Sequence, residues 1–310
     1  MVTIKEVECF KDYGKCLSID NGIICALVTL DVGPRIISFS FINGTNVMFS
    51  DRKALALNDG KEFDEFYYKG AAFENFGGHR IWLSPESLPE TYYPDCNPVK
   101  YVINGNVVTL TPPPQKENGM ALQLELTMHD KKPEMQVKQI AKNISDTEKE
   151  YALWALTVMD QGGVEIIPQN TLDTGLLANR RIVLWPYASI NDDRFTLGDE
   201  YLTLKQQPGA ERAFKIGVDC NAGIGYYVLN DVVFSKKYSH NIDGVYPDGG
   251  CSYETYTNGV FLEFETLGEL KRIAPNSSIE HTELFTLQKK PCELDPKDMQ
   301  SVKNFVNKLN

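Results

Sequence analysis

The sequence predicts a large, predominantly antiparallel β-sandwich, and three observations carry that prediction. Asn-Gly occurs five times, at 21–22, 43–44, 104–105, 118–119 and 258–259. Such a pair between alternating apolar residues marks a tight hairpin, because a type I′ turn needs positive φ at both central positions. Several segments alternate with a period of two, and helical patterning is nearly confined to the C-terminus. Strands at short intervals without interleaved helices favour antiparallel sheets over an α/β architecture.

In chain order, "CLSI" and "IICALVTL" flank the first turn, "RIISFSFI" leads into the second, and "YVI" and "VVTLT" flank the third. "MALQLELTMH" sets Leu122, Leu124, Leu126 and Met128 on one face and Gln123, Glu125, Thr127 and His129 on the other. "GVFLEFET" does the same with Val260, Leu262 and Phe264 against Phe261, Glu263 and Glu265. The segment "LDPKDMQSVKNFVNKLN" predicts a short helix over about 295–309. Asp295 can cap it, Pro296 suits its first position, and Met299, Val302, Phe305, Val306 and Leu309 form an apolar stripe. No internal repeat, low-complexity tract or linker divides the chain, so one domain over residues 1–310 is expected.

Composition bounds the function. A formal net charge of −11 argues against nucleic acid or an anionic membrane as partner. The N-terminus has no basic region followed by an apolar run, and no apolar stretch approaches a bilayer span. The seven cysteines are odd in number and form no C-x-x-C pair, so buried or half-buried free thiols in a reducing cytoplasm are expected. There is no Ser-His-Asp signature, P-loop or calcium-type carboxylate cluster, so neither a metal nor a cofactor is expected. A cytoplasmic monomer or loose dimer is the expected form.

"FENFGGHRIWLSPE", residues 73–86, is the densest candidate site. Paired glycines permit unusual backbone conformations or close approach of a ligand, and His79, Arg80 and Trp82 offer a titratable group, a fixed cation and a flat apolar face. The competing reading is a turn with a structural histidine, a surface ion pair and a core tryptophan. Glu263, amid Phe261, Leu262 and Phe264, has a physical reason for a raised pKa if its face is buried. Arg35 in "GPRI" is either a core ion-pair member or a ligand donor. Arg180 and Arg181 cannot both face inward; a phosphate or carboxylate on a ligand would explain an inward arginine, and so would a salt bridge to Asp192 or Asp193. Asp248 in "YPDGG" is a turn residue or a hydroxyl ligand. Lys236 and Lys237 are expected in solvent, and His129, His240 and His281 are expected to be structural.

"DVGPRIISFSFING", "FGGHRIWLSPE", "YALWALTVM", "LWPYASINDDRF", "YPDGG" and "LEFETLGELKRIAPNSSIEHTELFTL" follow one another in an order that resembles the galactose mutarotase-like superfamily. The resemblance runs from about residue 20 to 288 and points to a branch other than the aldose 1-epimerases proper. It implies a β-supersandwich of antiparallel sheets with a sugar site on a concave surface. Epimerases of that superfamily use a glutamate near the C-terminus as base and histidines as acid and anchors. Mutarotation needs both, since one group removes the anomeric proton while another protonates the ring oxygen. By resemblance, Glu263 is the base and His79 the acid. Arg35, Arg80, Trp82, Trp154, Arg180, Asp248 and Glu265 are candidate sugar contacts, and Glu265 also shares the face of Glu263. The second epimerase histidine would fall near "YALWALTVM", where Trp154 is the nearest bulky residue and no histidine stands.

The expected function is therefore carbohydrate binding with mutarotase-like activity on a monosaccharide. A non-catalytic sugar-binding or sensor protein is the alternative, favoured by the missing histidine. A glycoside hydrolase fits less well, because it holds its carboxyl groups roughly 5–9.5 Å apart across the scissile bond, which near neighbours on one strand serve poorly.

Overall fold

Hairpin chemistry builds two large sheets. In the computed structural model, which describes residues 1–54 and 57–309, one sheet has 11 strands and the other 10, with all pairings antiparallel. Three of the Asn-Gly turns join directly paired strands: Cys16–Asp20 with Ile24–Thr29, Lys100–Asn104 with Val107–Thr111, and Tyr253–Thr257 with Leu262–Leu267. The other two close turns at strand ends, with Asn43 at φ 57° and Gly119 at φ 74°. The Met120–Met128 strand buries every second residue, as its alternation requires.

The centre of the first sheet runs Ile36–Phe41, Gly78–Ser84, Lys149–Met159, Leu262–Leu267, Tyr253–Thr257 and Phe214–Val218 in spatial order. The second places Val232–Tyr238, Ser278–Lys289, Glu134–Asn143 and Met120–Met128 side by side. The core lies between them. Phe39 and Phe264 of the first sheet meet Phe234 of the second edge-on, with centroids 6.0 and 5.8 Å away, and Phe285 completes the cluster at 5.1 Å from Phe234. Edge-to-face contacts of this kind add to the area that the rings bury.

A polar network crosses this apolar core. Lys236, expected in solvent, is fully buried while Lys237 is exposed, because strand alternation admits only one of the pair. The Lys236 ammonium donates to the Ala155 carbonyl at 2.8 Å, the Phe264 carbonyl at 3.0 Å and Thr157 Oγ1 at 3.0 Å, and pairs with Glu283 at 3.1 Å. Lys236 belongs to the second sheet and those three acceptors to the first, so the side chain ties the layers together.

The outer face of the first sheet is partly covered by residues 57–76, including a helix at Lys61–Phe66 that the sequence did not signal. Phe63 and Phe73 of that cover pack with Trp82, Trp154 and Leu156 of the sheet. On the second sheet, the C-terminal helix Met299–Asn307 packs Val302, Phe305 and Val306 against Ile166, Tyr226 and Val233. It begins later than expected. Asp298 is the cap, accepting from the Gln300 amide, while Asp295 accepts from Lys297 in the preceding turn. All seven cysteines are free, with Cys9 and Cys96 exposed rather than buried or half-buried. Among the described residues no helix is long and apolar enough to cross a membrane.

Candidate functional site

Register across the first sheet sorts its polar residues into two faces. Residues paired across strands share a face, and successive residues alternate. One row reads Arg80, Leu156, Glu265, Glu254 and Gly217, and a second reads Gly78, Val158, Glu263, Tyr256 and Lys215. Trp82 and Trp154 are paired on the same side. This face looks away from the second sheet. The intervening row, His79, Thr157, Phe264, Thr255 and Ile216, enters the core.

Gly78 sets the phase. It has φ 61°, and a Cβ there would lie 2.2 Å from the carbonyl oxygen of Ile36. Only glycine lets the strand come this close to its neighbour. The paired glycines therefore serve strand packing, with His79 then turned inward and Arg80 outward.

The outer face carries a cleft of about 350 Å³. All three tryptophans of the chain line it. Trp82 stacks on Trp154 at 5.1 Å with 11° between planes, and on Phe73 at 5.4 Å. The Arg80 guanidinium lies 3.9 Å from the Trp82 ring centroid, and the Lys215 ammonium lies 4.6 Å from Trp154 and 4.7 Å from Trp185. Rings and cations thus form one ladder, held by cation–π attraction. Trp154 donates its indole N–H to Glu265 Oε2 at 2.8 Å. Lys215 pairs with Glu254 at 2.9 Å and Glu265 at 3.2 Å. Burial would lower the lysine pKa, but these two carboxylates reverse the effect and hold it well above the ordinary value. Both carboxyl groups are themselves raised by burial, which outweighs the lowering pull of the ammonium they share.

Glu263 lies half-buried at the cleft. Asn75 Nδ2 donates to its Oε1 at 3.3 Å. Burial lifts its pKa to about 7, the Glu265 charge adds to that, and Arg80 and Lys215 pull against it. Arg80 is drawn down to about 10, mainly by burial.

The structure brings together Arg80, Trp82, Trp154 and Glu263 in the cleft lining, with Glu265 directly behind as partner of Trp154 and Lys215. His79 is elsewhere. It is fully buried in the core, with Nδ1 2.9 Å from Thr157 Oγ1 and Nε2 3.7 Å from Glu283. Burial and the Lys236 charge hold its pKa well below the ordinary value, so the imidazole is neutral and remote from the cleft. Arg35 pairs with Asp95 at 2.5 Å and donates to the Pro34 carbonyl. Arg180 is exposed and pairs with Asp199 at 3.3 Å, while Asp192 is taken by Arg194. Asp248 sits at φ 51° in its turn and accepts from Ser84 Oγ at 3.3 Å.

No family model matches the sequence, and no curated protein matches it. Solved structures do. A Klebsiella pneumoniae protein provisionally named an aldose 1-epimerase superposes with TM-score 0.61 at 11% identity, covering 99% of this chain and 86% of its own. A galactose mutarotase-like protein from Lactobacillus casei gives TM-score 0.55 at 12% identity, over 88% of this chain and all of that one. The chain has the galactose mutarotase-like fold. A TPR-domain containing protein from Parabacteroides distasonis also superposes, with TM-score 0.59 at 13% identity over 90% of this chain. The present chain spans about half of that protein's length, 48%.

Within the mutarotase-like fold, sequence reasoning missed Lys215, Glu254, Asn75 and Tyr256. The available signal was a charge within an apolar strand: "FKIGV" and "YETYT" each place one where alternation offers no solvent. Among the described residues, no group of three or more His, Cys, Asp or Glu could hold a metal ion. The charged chemistry of the cleft, among the described residues, is that of carboxyl groups, one ammonium and one guanidinium, beside the amides of Asn58 and Asn75 and the hydroxyls of tyrosines.

Proposed function

We propose that the protein binds a monosaccharide-sized carbohydrate in the cleft of the first sheet and exchanges its anomers, with Glu263 as the base. Glu263 itself carries this reading. A cleft carboxyl group with a pKa of about 7 is half ionised at neutral pH, so it is more basic than an ordinary glutamate and still available in its ionised form. The mutarotase-like fold supports the substrate class, and a cavity of about 350 Å³ suits a single sugar ring.

In this mechanism Glu263 takes the proton of the anomeric hydroxyl, and the bond from C1 to the ring oxygen breaks with its electron pair going to that oxygen. The ring oxygen takes a proton from a solvent water, which recovers it as hydroxide on reclosure. Reclosure on the other face of C1 gives the second anomer and returns the proton from Glu263. Lys215 supports the step. Its ammonium has three N–H donors, two of them directed at Glu254 and Glu265, and the third can meet negative charge developing on the ring oxygen.

Binding without turnover is the second reading, and one observation favours it. Among the described residues no imidazole lines the cleft, His79 being on the core side of the sheet, so the histidine that serves the superfamily's epimerases as acid is not matched there. Anomer exchange measured by NMR over a panel of aldoses separates the two. Faster exchange with wild type, lost in Glu263→Gln while binding persists, supports the catalytic reading. Binding with unaltered exchange establishes the second. No sugar-dependent rise in melting temperature anywhere in the panel overturns both.

A further inference from the structure

Among the described residues, five lysines and arginines are buried: Arg35, Arg80, Arg194, Lys215 and Lys236. Four have a carboxylate within ion-pair distance. Arg35 has Asp95 at 2.5 Å, Arg194 has Asp192 at 2.7 Å, Lys215 has Glu254 at 2.9 Å, and Lys236 has Glu283 at 3.1 Å. Arg80 is the exception. Its Nε and Nη1 are buried without an acceptor, and its guanidinium lies over the rings of Trp82 and Phe73, at 3.9 and 4.8 Å. Ring stacking offsets only part of the free energy lost when a cation leaves water. The fold therefore keeps one desolvated, planar, permanently charged donor group at the wall of the cleft, although it pairs every other buried cation.

Resting on the carbohydrate reading of this cleft, we infer that the ligand itself supplies the missing partner: the site takes a sugar acid of the uronate class, its carboxylate on Arg80 and its anomeric end at Glu263. The register supports the spacing. Arg80 and Glu263 stand on strands separated by the Lys149–Met159 strand and are offset by two residues along it, so their backbones are about 12 Å apart across the sheet. Side chains reaching inward from both leave room for one pyranose ring, whose C1 and C5 substituents lie on opposite sides of the ring oxygen.

The charge count favours a carboxylate over a phosphate. A guanidinium presents parallel N–H donors that match the two oxygens of a carboxylate. It is also the one cleft cation without a partner, since Lys215 is held by Glu254 and Glu265. Glu86 and Glu263 add carboxyl groups to the same wall. A phosphate dianion would meet them with only one positive charge to balance two negative ones. A monoanion is matched.

The test is calorimetric titration at pH 6.5 with matched pairs: glucose and glucuronate, galactose and galacturonate, and glucose 6-phosphate, each against wild type, Arg80→Met and Arg80→Lys. Wild type should bind at least one uronate about 10–100-fold more tightly than its parent hexose, the usual effect of a charge-assisted contact. Arg80→Met should reduce that preference to below about threefold, and Arg80→Lys, which keeps the charge and loses the planar fork, should retain part of it. Should Arg80→Met fail to fold by near-UV circular dichroism, the reduced preference in Arg80→Lys carries the test. Equal binding of hexose and uronate by wild type overturns the inference and leaves the carbohydrate reading standing. Tightest binding of the 6-phosphate overturns the carboxylate assignment. Binding of no sugar at all overturns both readings together.

Discussion

His79 and Arg80 are consecutive in the chain and face opposite sides of the first sheet. The imidazole lies 2.9 Å from Thr157 Oγ1 inside the sandwich, and the guanidinium lies 3.9 Å from the Trp82 centroid at the cleft. A single strand supplies both the core and the site. The division of labour that follows separates residues whose loss disturbs stability from those whose loss disturbs ligand chemistry.

Glu263→Gln removes the base and keeps the shape. If the protein exchanges anomers, the rate in wild type should rise with pH as Glu263 ionises through about 7, and then level. The glutamine variant should show no such rise and a rate lower by about 10²–10⁴-fold. Both follow from anomer exchange recorded between pH 5.5 and 8.5.

His79→Asn should leave sugar affinity within about twofold, because the ring does not reach the cleft. It should destabilise the fold by about 2–4 kcal/mol, through lost packing against Phe285 and a disturbed Thr157–Gln139–Glu283 network. Urea denaturation beside calorimetric titration reads the two effects separately.

Lys236→Met should be more severe, because it leaves the Glu283 carboxylate in the core without its cation. A loss of about 3–5 kcal/mol is expected. Adding Glu283→Gln removes the stranded charge, so the double variant should recover part of that loss. A double variant no more stable than Lys236→Met would show that the ammonium acts through its bonds to the opposite sheet and not through Glu283.

The contribution of Glu165 to stability should fall as pH rises from about 5 to 8, against the opposite contribution of the buried, neutral His79 and His281 below about 6.5. Tyr253 donates to Glu165 Oε1 at 2.7 Å, and burial raises the pKa of that carboxyl group to about 8. An unfolded glutamate titrates near 4.3, so between these values the native state binds more protons than the unfolded state. Unfolding free energy then decreases with pH across that window, by on the order of 3 kcal/mol for this group. Glu263 acts in the same direction up to about 7. Glu165→Gln cannot titrate, so its melting temperature should decline less steeply over the same range in a calorimetric scan.

Because Trp82, Trp154 and Trp185 all line the cleft, the whole tryptophan emission of the protein reports on that one place. Saturating ligand should shift or quench it, and the change should titrate with the same dissociation constant as calorimetry. An unaltered spectrum under calorimetric saturation would move binding away from the cleft.

Residues 120–128 were legible because alternation over a half-buried strand has one solution, and the Asn-Gly turns named hairpins for the same local reason. "GHRIWLS" was harder. Ile81 and Leu83 share the face of His79 while Trp82 shares that of Arg80, so neither face reads as the polar one. A strand covered on both sides loses the contrast on which a face assignment depends. Glu263 could be named because its strand alternates and its neighbours are aromatic. Lys215 and Glu254 could not, since they meet only through strand pairing. Lys236, next to Lys237, reads as a solvated pair until Glu283, distant in sequence but diagonal to it on the paired strand, is set 3.1 Å away.

The close contact at Gly78 restricts how this protein can be altered. One residue inserted between Gly78 and Arg80 would reverse the phase of the rest of the strand. Arg80 and Trp82 would be driven into the sandwich, and Ile81 and Leu83 would be presented to the ligand. Two inserted residues would restore the phase and displace the site along the strand. Changes of length are therefore confined to the turns, and a combinatorial library aimed at new ligands should vary positions 80, 82, 154, 215, 256 and 263 while holding 79, 81, 155, 157 and 264 constant. Within each strand of such a library, randomised codons would fall at every second position.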